Sequence, residues 1–205
     1  MGRYEEKLKN SVYSNLETLQ IDNISIDTAT CLIKNSEGVL REILIYSYID
    51  WVDFYKKSLS LICAIYEKCP LVEYLSLAFQ LSKEHFIEFE KLLKACQKLR
   101  VLKLLIDDGN EYDGNIEEYL RVLNKEAPIN LREIKFYAFL EISLKTLEEF
   151  LENWKVKRRP ALTILTTLIF NRDYEKKEYT ELINRYKNYG VLKDFRCVGN
   201  MEMHW

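Results

Sequence analysis

A short pattern of apolar and polar positions recurs along the chain: an apolar residue, two variable positions, a second apolar residue, one variable position and a third apolar residue. Its first residues lie near positions 16, 40, 72, 99, 131, 162 and 192, on average about 29 residues apart, at the long end of the range for leucine-rich repeats. Each copy predicts one strand, with its apolar residues directed into the core. The copies are Leu16/Leu19/Ile21, Leu40/Ile43/Ile45, Val72/Leu75/Leu77, Leu99/Leu102/Leu104, Leu131/Ile134/Phe136, the weaker Leu162/Leu165/Thr167, and Leu192/Phe195/Cys197.

Residues that end helices lie just before most copies. Gly38, Pro70, Pro160 and Gly190 lie two residues before a first apolar residue, and Pro128 lies three before. Such residues stop a helix and turn the chain into the next strand. Between the copies, apolar residues change to the three- and four-residue spacing of a helix. These stripes are Phe86, Phe89, Leu93, Cys96; Ile116, Leu120, Leu123, Ala127; Leu144, Leu147, Leu151, Trp154; and Leu182, Ile183, Tyr186, Tyr189.

The alternation of strand and helix predicts an α/β fold in a single domain over residues 1–205. We expect a leucine-rich-repeat solenoid of about seven strand–helix repeats, with one parallel sheet on its concave face. The alternation argues against armadillo, HEAT and TPR repeats, because they consist of helix pairs without a strand. A doubly wound α/β fold shares the alternation, but its strands are buried on both faces and are continuously apolar. The predicted strands alternate with polar positions, which favours the solenoid.

The residues at the ends of helices and the starts of strands resemble those of a known family. The segments 69–77 (CPLVEYLSL), 92–99, 127–134, 147–154 with 159–162, and 182–187 with 190–195 are similar to fungal F-box proteins with C-terminal leucine-rich repeats. The resemblance covers residues 58–199 well and the first 57 only loosely. It implies the substrate-receptor repeats of a ubiquitin ligase, a non-enzymatic module that binds a partner protein.

An F-box is a short helical module that usually precedes the repeats and binds the adaptor of a cullin-type ubiquitin ligase. Here residues 4–15 form a short amphipathic segment and the first strand begins at Leu16, so we expect no F-box in this chain. The chain is then a fragment, a truncated paralogue or a repeat-only relative. Binding of the ligase adaptor is implied only if an F-box exists upstream.

The variable positions of the predicted strands are expected to line the concave face. Tyrosines, charged residues and aliphatic residues are mixed there, as in protein-recognition surfaces, where aromatic anchors have polar surroundings. Ile164, Thr166 and Leu168 are also expected on this face. The alternative is that all these positions are merely tolerated in solvent. The candidate partner-binding residues are Tyr46, Tyr74, Ser76, Lys103, Glu133, Lys135, Tyr137, Asp194 and Arg196.

Composition narrows the classes of function. Thirty Lys and Arg against 32 Asp and Glu give a net charge of −2, whereas a nucleic-acid module normally has a basic excess. The longest apolar run, residues 61–66, is far shorter than the roughly 20 residues that span a bilayer. The charged start of the chain predicts no signal peptide. Without a signal peptide, the five scattered cysteines are expected to be reduced thiols in a cytoplasmic or nuclear protein.

Candidate catalytic and metal-binding residues are few. His85 lies near Glu84 and Glu88, but no nucleophile accompanies it in sequence, and we expect it at the surface start of a helix. The acidic stretch 107–118 does not fit a calcium-binding loop that starts at Asp108 or at Glu111, which indicates a solvated loop. Cys63 and Cys69 lack zinc-site spacing. Cys69 and Cys96 occupy equivalent repeat positions, which predicts packing in the core.

A small basic cluster follows Trp154, and it is typical of a charged helix end favoured by the helix dipole. Its members are Lys155, Lys157, Arg158 and Arg159. Neither a nucleophile elbow, a phosphate-binding loop nor a dinucleotide fingerprint occurs. We therefore expect a monomeric protein-interaction module that binds an unidentified protein, with no enzymatic activity, cofactor, metal, nucleic acid or membrane. The alternatives are a small α/β enzyme with an acidic site at 107–118, and a truncated paralogue without a partner.

Overall fold

The computed structural model describes residues 6–8, 10–22, 24–47, 51–107, 116–137, 142–167 and 177–198. Strands and helices alternate through these residues, as the sequence predicts, and residues 6–8 are also helical. The strands are β1 (Thr18–Asp22), β2 (Glu42–Ser47), β3 (Tyr74–Gln80), β4 (Val101–Asp107), β5 (Glu133–Tyr137), β6 (Leu162–Thr167) and β7 (Leu192–Val198). The longer helices are α1 (Ile26–Lys34), α2 (Trp51–Lys68), α3 (Lys83–Ala95), α4 (Ile116–Glu126), α5 (Leu144–Val156) and α6 (Lys177–Asn188).

The strands form one sheet in the order β1-β2-β3-β4-β5-β6-β7, and every neighbouring pair is parallel. The predicted apolar positions are in register across it; for example, Leu102 lies opposite both Leu75 and Ile134. A doubly wound sheet reverses its strand order at a switch point, and this order never reverses. The predicted parallel sheet of about seven strands is therefore confirmed.

The helices form a layer on one side of the sheet, because each helix from α1 to α6 contacts the next one along the chain. Right-handed crossovers between neighbouring parallel strands place successive helices on the same face. Ser25, Ser82 and Ser143 each cap a helix by accepting the backbone N–H three residues later. Within the described residues, none of the helices has the length and apolar character needed to cross a membrane.

The core lies between the sheet and the helix layer. It contains the second and third apolar residues of the predicted strands, except those of β6 and the half-buried Cys197. It also contains the inward apolar stripe of each helix. At its centre, the rings of Phe79, Phe89, Phe136 and Tyr119 pack against one another. Tyr189 was predicted to extend the stripe of α6, but it follows the end of that helix and is largely exposed.

The prediction of which β6 residues face the core is wrong by one position. Ile164 lies opposite Ile134 and Thr166 lies opposite Phe136, so both point into the core and are buried. Leu165 lies opposite Lys135 on the other face, where Ile164 and Thr166 were expected. Both alternations are compatible with the β6 sequence Leu-Thr-Ile-Leu-Thr-Thr. Pairing with β5 selects the alternation that buries Ile164. Leu168 lies outside the described residues.

Candidate functional site

The sheet has a second face, turned away from the helix layer, to which every other strand residue belongs. We call it the outer face. The strand register aligns its residues in rows that cross the strands. The first row is Thr18, Glu42, Tyr74, Val101, Glu133, Thr163 and Asp194. The second includes Ser76, Lys103, Lys135, Leu165 and Arg196, and the third includes Ala78, Leu105 and Tyr137.

Most of the predicted partner-binding residues come together on this face with part of their surface accessible. Arg196 is exposed, and five others are half-buried: Tyr74, Glu133, Lys135, Tyr137 and Asp194. Tyr46 belongs to β2, but its side chain lies outside the described part of the structure. The accessible set therefore extends from β3 to β7.

Ser76 and Lys103 lie on the outer face as predicted, but they are only 0% and 4% exposed. Their expected exposure to solvent is therefore wrong, and a partner cannot reach them while the face keeps this conformation. The Ser76 hydroxyl is buried, and none of the described residues forms a hydrogen bond with it. The alternation of a strand fixes which face a residue belongs to, but it does not determine what neighbouring side chains cover.

Part of the cover over Lys103 comes from Tyr137. The Lys103 ammonium nitrogen lies 4.2 Å from the centre of the Tyr137 ring, a cation–π arrangement. Burial, together with the charge of Lys135 on the next strand, lowers the pKa of Lys103 to about 8. Burial also raises the pKa of Tyr137 to about 12. Tyr137 thus shields a buried cation as well as presenting an accessible surface.

Two ion pairs order the accessible half of the outer face. Glu133 Oε1 lies 3.0 Å from Lys135 Nζ on β5, and Asp194 Oδ2 lies 2.7 Å from Arg196 Nε on β7. A hydrogen bond from Lys187 to Asp194 Oδ1, at 2.9 Å, is the main reason that the pKa of Asp194 is lowered. Each pair joins residues two apart on one strand, so their side chains share a face. Partly exposed pairs add little stability, but they restrict side-chain positions.

His85, predicted at a surface helix start, is instead only 2% exposed. Its Nε2 lies 2.7 Å from Ser58 Oγ on α2, and its Nδ1 lies 2.9 Å from Ser82 Oγ. Burial lowers the pKa of His85 to about 4. Ser58 lies 27 residues away in sequence, and no local pattern predicts this contact. Because Ser58 is fully buried, the serine–histidine pair joins α2 to α3 and is inaccessible to a substrate.

The remaining candidate sites have structural roles or lie outside the described residues. Residues 108–115, which form most of the acidic stretch, are outside them. Among the residues that the structure describes, no three His, Cys, Asp or Glu side chains are placed to hold a metal ion. Cys69 and Cys96 are buried neighbours, with Cys96 Sγ 3.7 Å from the Cys69 carbonyl oxygen. Burial is the main cause that raises the pKa of each thiol to about 12.

The basic cluster after Trp154 divides into residues with different contacts. Lys157 donates to the carbonyl oxygen of Asn124, and Arg159 donates to that of Ala127. These carbonyls lie at the end of α4, so the two cations cap the neighbouring helix as well as following their own. Lys155 pairs with Glu152 and lies 4.4 Å from the centre of the Tyr189 ring.

No family model matches this sequence, and no curated protein matches it. The likeness to fungal F-box proteins with leucine-rich repeats therefore remains a resemblance carried by residues at helix ends and strand starts. The functional inference depends on the geometry of the outer face.

Proposed function

We propose that the chain is a non-enzymatic protein-interaction module, built as a leucine-rich-repeat solenoid whose outer face is the concave surface that binds a partner protein. The observation that carries the proposal is the accessible set on that face: tyrosines and charged residues from β3 to β7 held in one register. The sequential parallel sheet with its single helix layer supports the solenoid.

Binding would use a surface that is already formed. Tyr74 offers an accessible aromatic ring in the first row, and protein interfaces concentrate their binding energy in such aromatic anchors. The pairs Glu133–Lys135 and Asp194–Arg196 supply a polar surround whose side chains are held by each other. The strands fix the backbone and the ion pairs restrict the side chains. Little conformational freedom therefore remains to be lost on binding.

The residues of the outer face have two roles in this proposal. Tyr74, Glu133, Lys135, Asp194 and Arg196 contact the partner directly. Ser76 and Lys103 lie beneath the accessible surface, and Tyr137 covers Lys103 while contributing to that surface.

The family resemblance extends the proposal to the partner's fate. We propose that the bound protein is a ubiquitin-ligase substrate, and that the module acts as a monomer in the cytoplasm or nucleus. Adaptor binding would require an F-box upstream in a longer chain. No observation on the described residues favours the enzyme alternative, since the Ser58–His85 contact is buried and Ser82, the other serine beside His85, caps α3.

Affinity capture with quantitative mass spectrometry tests the binding role. The baits are the wild-type chain, Tyr74→Ala, Lys135→Glu and the matched control Ile87→Ala, which removes an exposed side chain on α3. We expect one protein to be depleted at least about fivefold by each outer-face variant and not by the control, since a lost anchor costs more than 1 kcal/mol. Unchanged unfolding midpoints establish that the fold persists. Equal recovery by all four baits would refute the outer-face site.

A further inference from the structure

Positive charge collects at one edge of the sheet for a physical reason. Helices α1 to α5 each have a lysine in the last turn, and α6 has Arg185 and Lys187 there, where the helix dipole favours cations. Because the strands are parallel and each helix runs antiparallel to them, the C-terminal ends of the helices all lie at the edge where the strands begin. We call it the strand-start edge.

Four further cations lie on this edge across the β4–β7 half of the sheet. Lys98, Arg132 and Arg158 precede β4, β5 and β6, and Lys193 is the second residue of β7. All four are exposed. The Arg132 N–H donates to the Arg100 carbonyl at 2.9 Å, so the segments that lead into β4 and β5 lie side by side. With neighbouring strands about 4.8 Å apart, the four cations extend over roughly 14 Å. We call them the basic row.

The cations of the basic row differ in their contacts from other cations on this edge. In the part of the chain that the structure describes, these four side chains form no hydrogen bond, ion pair or ring contact. Nearby cations differ: Lys125 pairs with Glu90 at 2.9 Å, and Lys157 and Arg159 cap α4. The contacts thus separate cations with a structural role from four that no described residue pairs with and that could bind an outside anion.

The backbone at Arg158 gives independent support. Arg158 has φ +50°, in the left-handed region, two residues after the end of α5. The equivalent position after α6 is Gly190, with φ +70°. Glycine adopts this conformation without cost, whereas a residue with a Cβ is strained there. The chain therefore has a long cationic side chain at a turn where glycine would be more stable.

We propose that the basic row, Lys98, Arg132, Arg158 and Lys193, is a docking site for an acidic segment of a partner protein. The attraction is local, since the whole chain has a net charge of −2. A protein segment is favoured over nucleic acid because that overall charge repels a long polyanion beyond the row. This site is separate from the outer face and does not depend on its role.

A fluorescein-labelled peptide of alternating Asp and Glu, eight acidic residues long, serves as the probe. Its binding to the full chain is measured by fluorescence anisotropy at low and physiological salt. The variant combines Lys98→Gln, Arg132→Gln, Arg158→Gln and Lys193→Gln. We expect it to bind about tenfold more weakly, because each exposed ion pair contributes roughly a factor of two. We also expect wild-type affinity to fall as salt rises.

A matched control removes the same charge elsewhere, with Lys83→Gln, Lys91→Gln, Lys145→Gln and Lys177→Gln on the helices. We expect it to bind within about twofold of wild type, as does Tyr74→Ala, which separates this test from that of the outer face. Equal losses in both quadruple variants would mean that only net charge matters and would overturn the proposal. Wild-type binding by the basic-row variant would also overturn it. A single-stranded oligonucleotide that binds more tightly than the peptide through the same four residues would replace the acidic protein with nucleic acid.

Discussion

The hydroxyl of Tyr119 offers a test of how the core is packed. Tyr119 is 0% exposed, and its ring lies 5.0 Å from that of Phe89 and 5.6 Å from that of Phe79, measured between centres. The hydroxyl is buried and has no hydrogen-bond partner among the residues that the structure describes. Burial also raises the pKa of Tyr119 well above its ordinary value. Folding therefore removes this hydroxyl from water, and no described residue gives it a hydrogen bond in return.

Tyr119→Phe removes the unpaired group and keeps the ring. An unsatisfied buried hydroxyl costs about 1–3 kcal/mol, and the small void left by the oxygen returns part of that gain. We therefore expect the free energy of unfolding to rise by about 1 kcal/mol, which corresponds to roughly 2–4 °C in the unfolding midpoint of a chain of this size.

Urea denaturation followed by circular dichroism measures the change. Tyr186→Phe is the matched control, because the Tyr186 hydroxyl donates to Glu152 at 3.0 Å. Loss of that bond should lower the free energy of unfolding by about 0.5–1.5 kcal/mol, so the two substitutions should have opposite signs. A loss of more than about 0.5 kcal/mol in Tyr119→Phe would show that the hydroxyl is bonded in the folded protein and would refute the reasoning.

Three further predictions concern the same fold. Leu102→Ala should lower the free energy of unfolding by about 2–5 kcal/mol, because Leu102 is fully buried and a cavity remains; a loss below about 1 kcal/mol in urea melts would contradict its inward position. The pKa of His85 is lowered to about 4 on folding, so the unfolded chain binds more protons than the folded one between about pH 6.5 and 4. The free energy of unfolding should therefore decrease as the pH is lowered through this range, by up to about 3 kcal/mol, and His85→Asn should reduce that pH dependence. An unchanged slope in melts at several pH values would count against the buried imidazole. Arg158→Gly should raise the unfolding midpoint by removing strain of about 1 kcal/mol, and a lower midpoint would contradict the left-handed backbone.

The repeated apolar pattern predicted the sheet well because it is redundant. Leu75, Leu102 and Ile134 each satisfy the same rule in their own repeat, so a local ambiguity does not change the strand order. The pattern failed at β6, where Ile164 and Leu165 are both apolar and the frame depends on pairing with β5. Residues that satisfy two frames are resolved only by contacts between strands.

The candidate site was harder to predict than the fold. Strand alternation correctly placed Tyr74, Lys135 and Arg196 on the outer face, because face membership is a local property. It could not predict that Lys103 is buried against Tyr137, which lies 34 residues later on another strand.

His85 shows the same limit. Its surroundings include Ser58 on another helix, so its burial is a tertiary property that no sequence window contains. The basic cluster after Trp154 was recognised as a helix end, but the bonds from Lys157 and Arg159 go to the neighbouring repeat.

Site-specific photo-crosslinking tests the central claim, that the outer face binds a partner protein, most directly. A photoreactive phenylalanine analogue replaces Tyr74 on the outer face in one protein and Ile87 on the surface of α3 in another. Both are irradiated with the partner recovered by affinity capture. The proposed function predicts a covalent adduct with the partner from position 74 and none from position 87. An adduct from position 87 with none from position 74 would place the partner on the helix layer and contradict it.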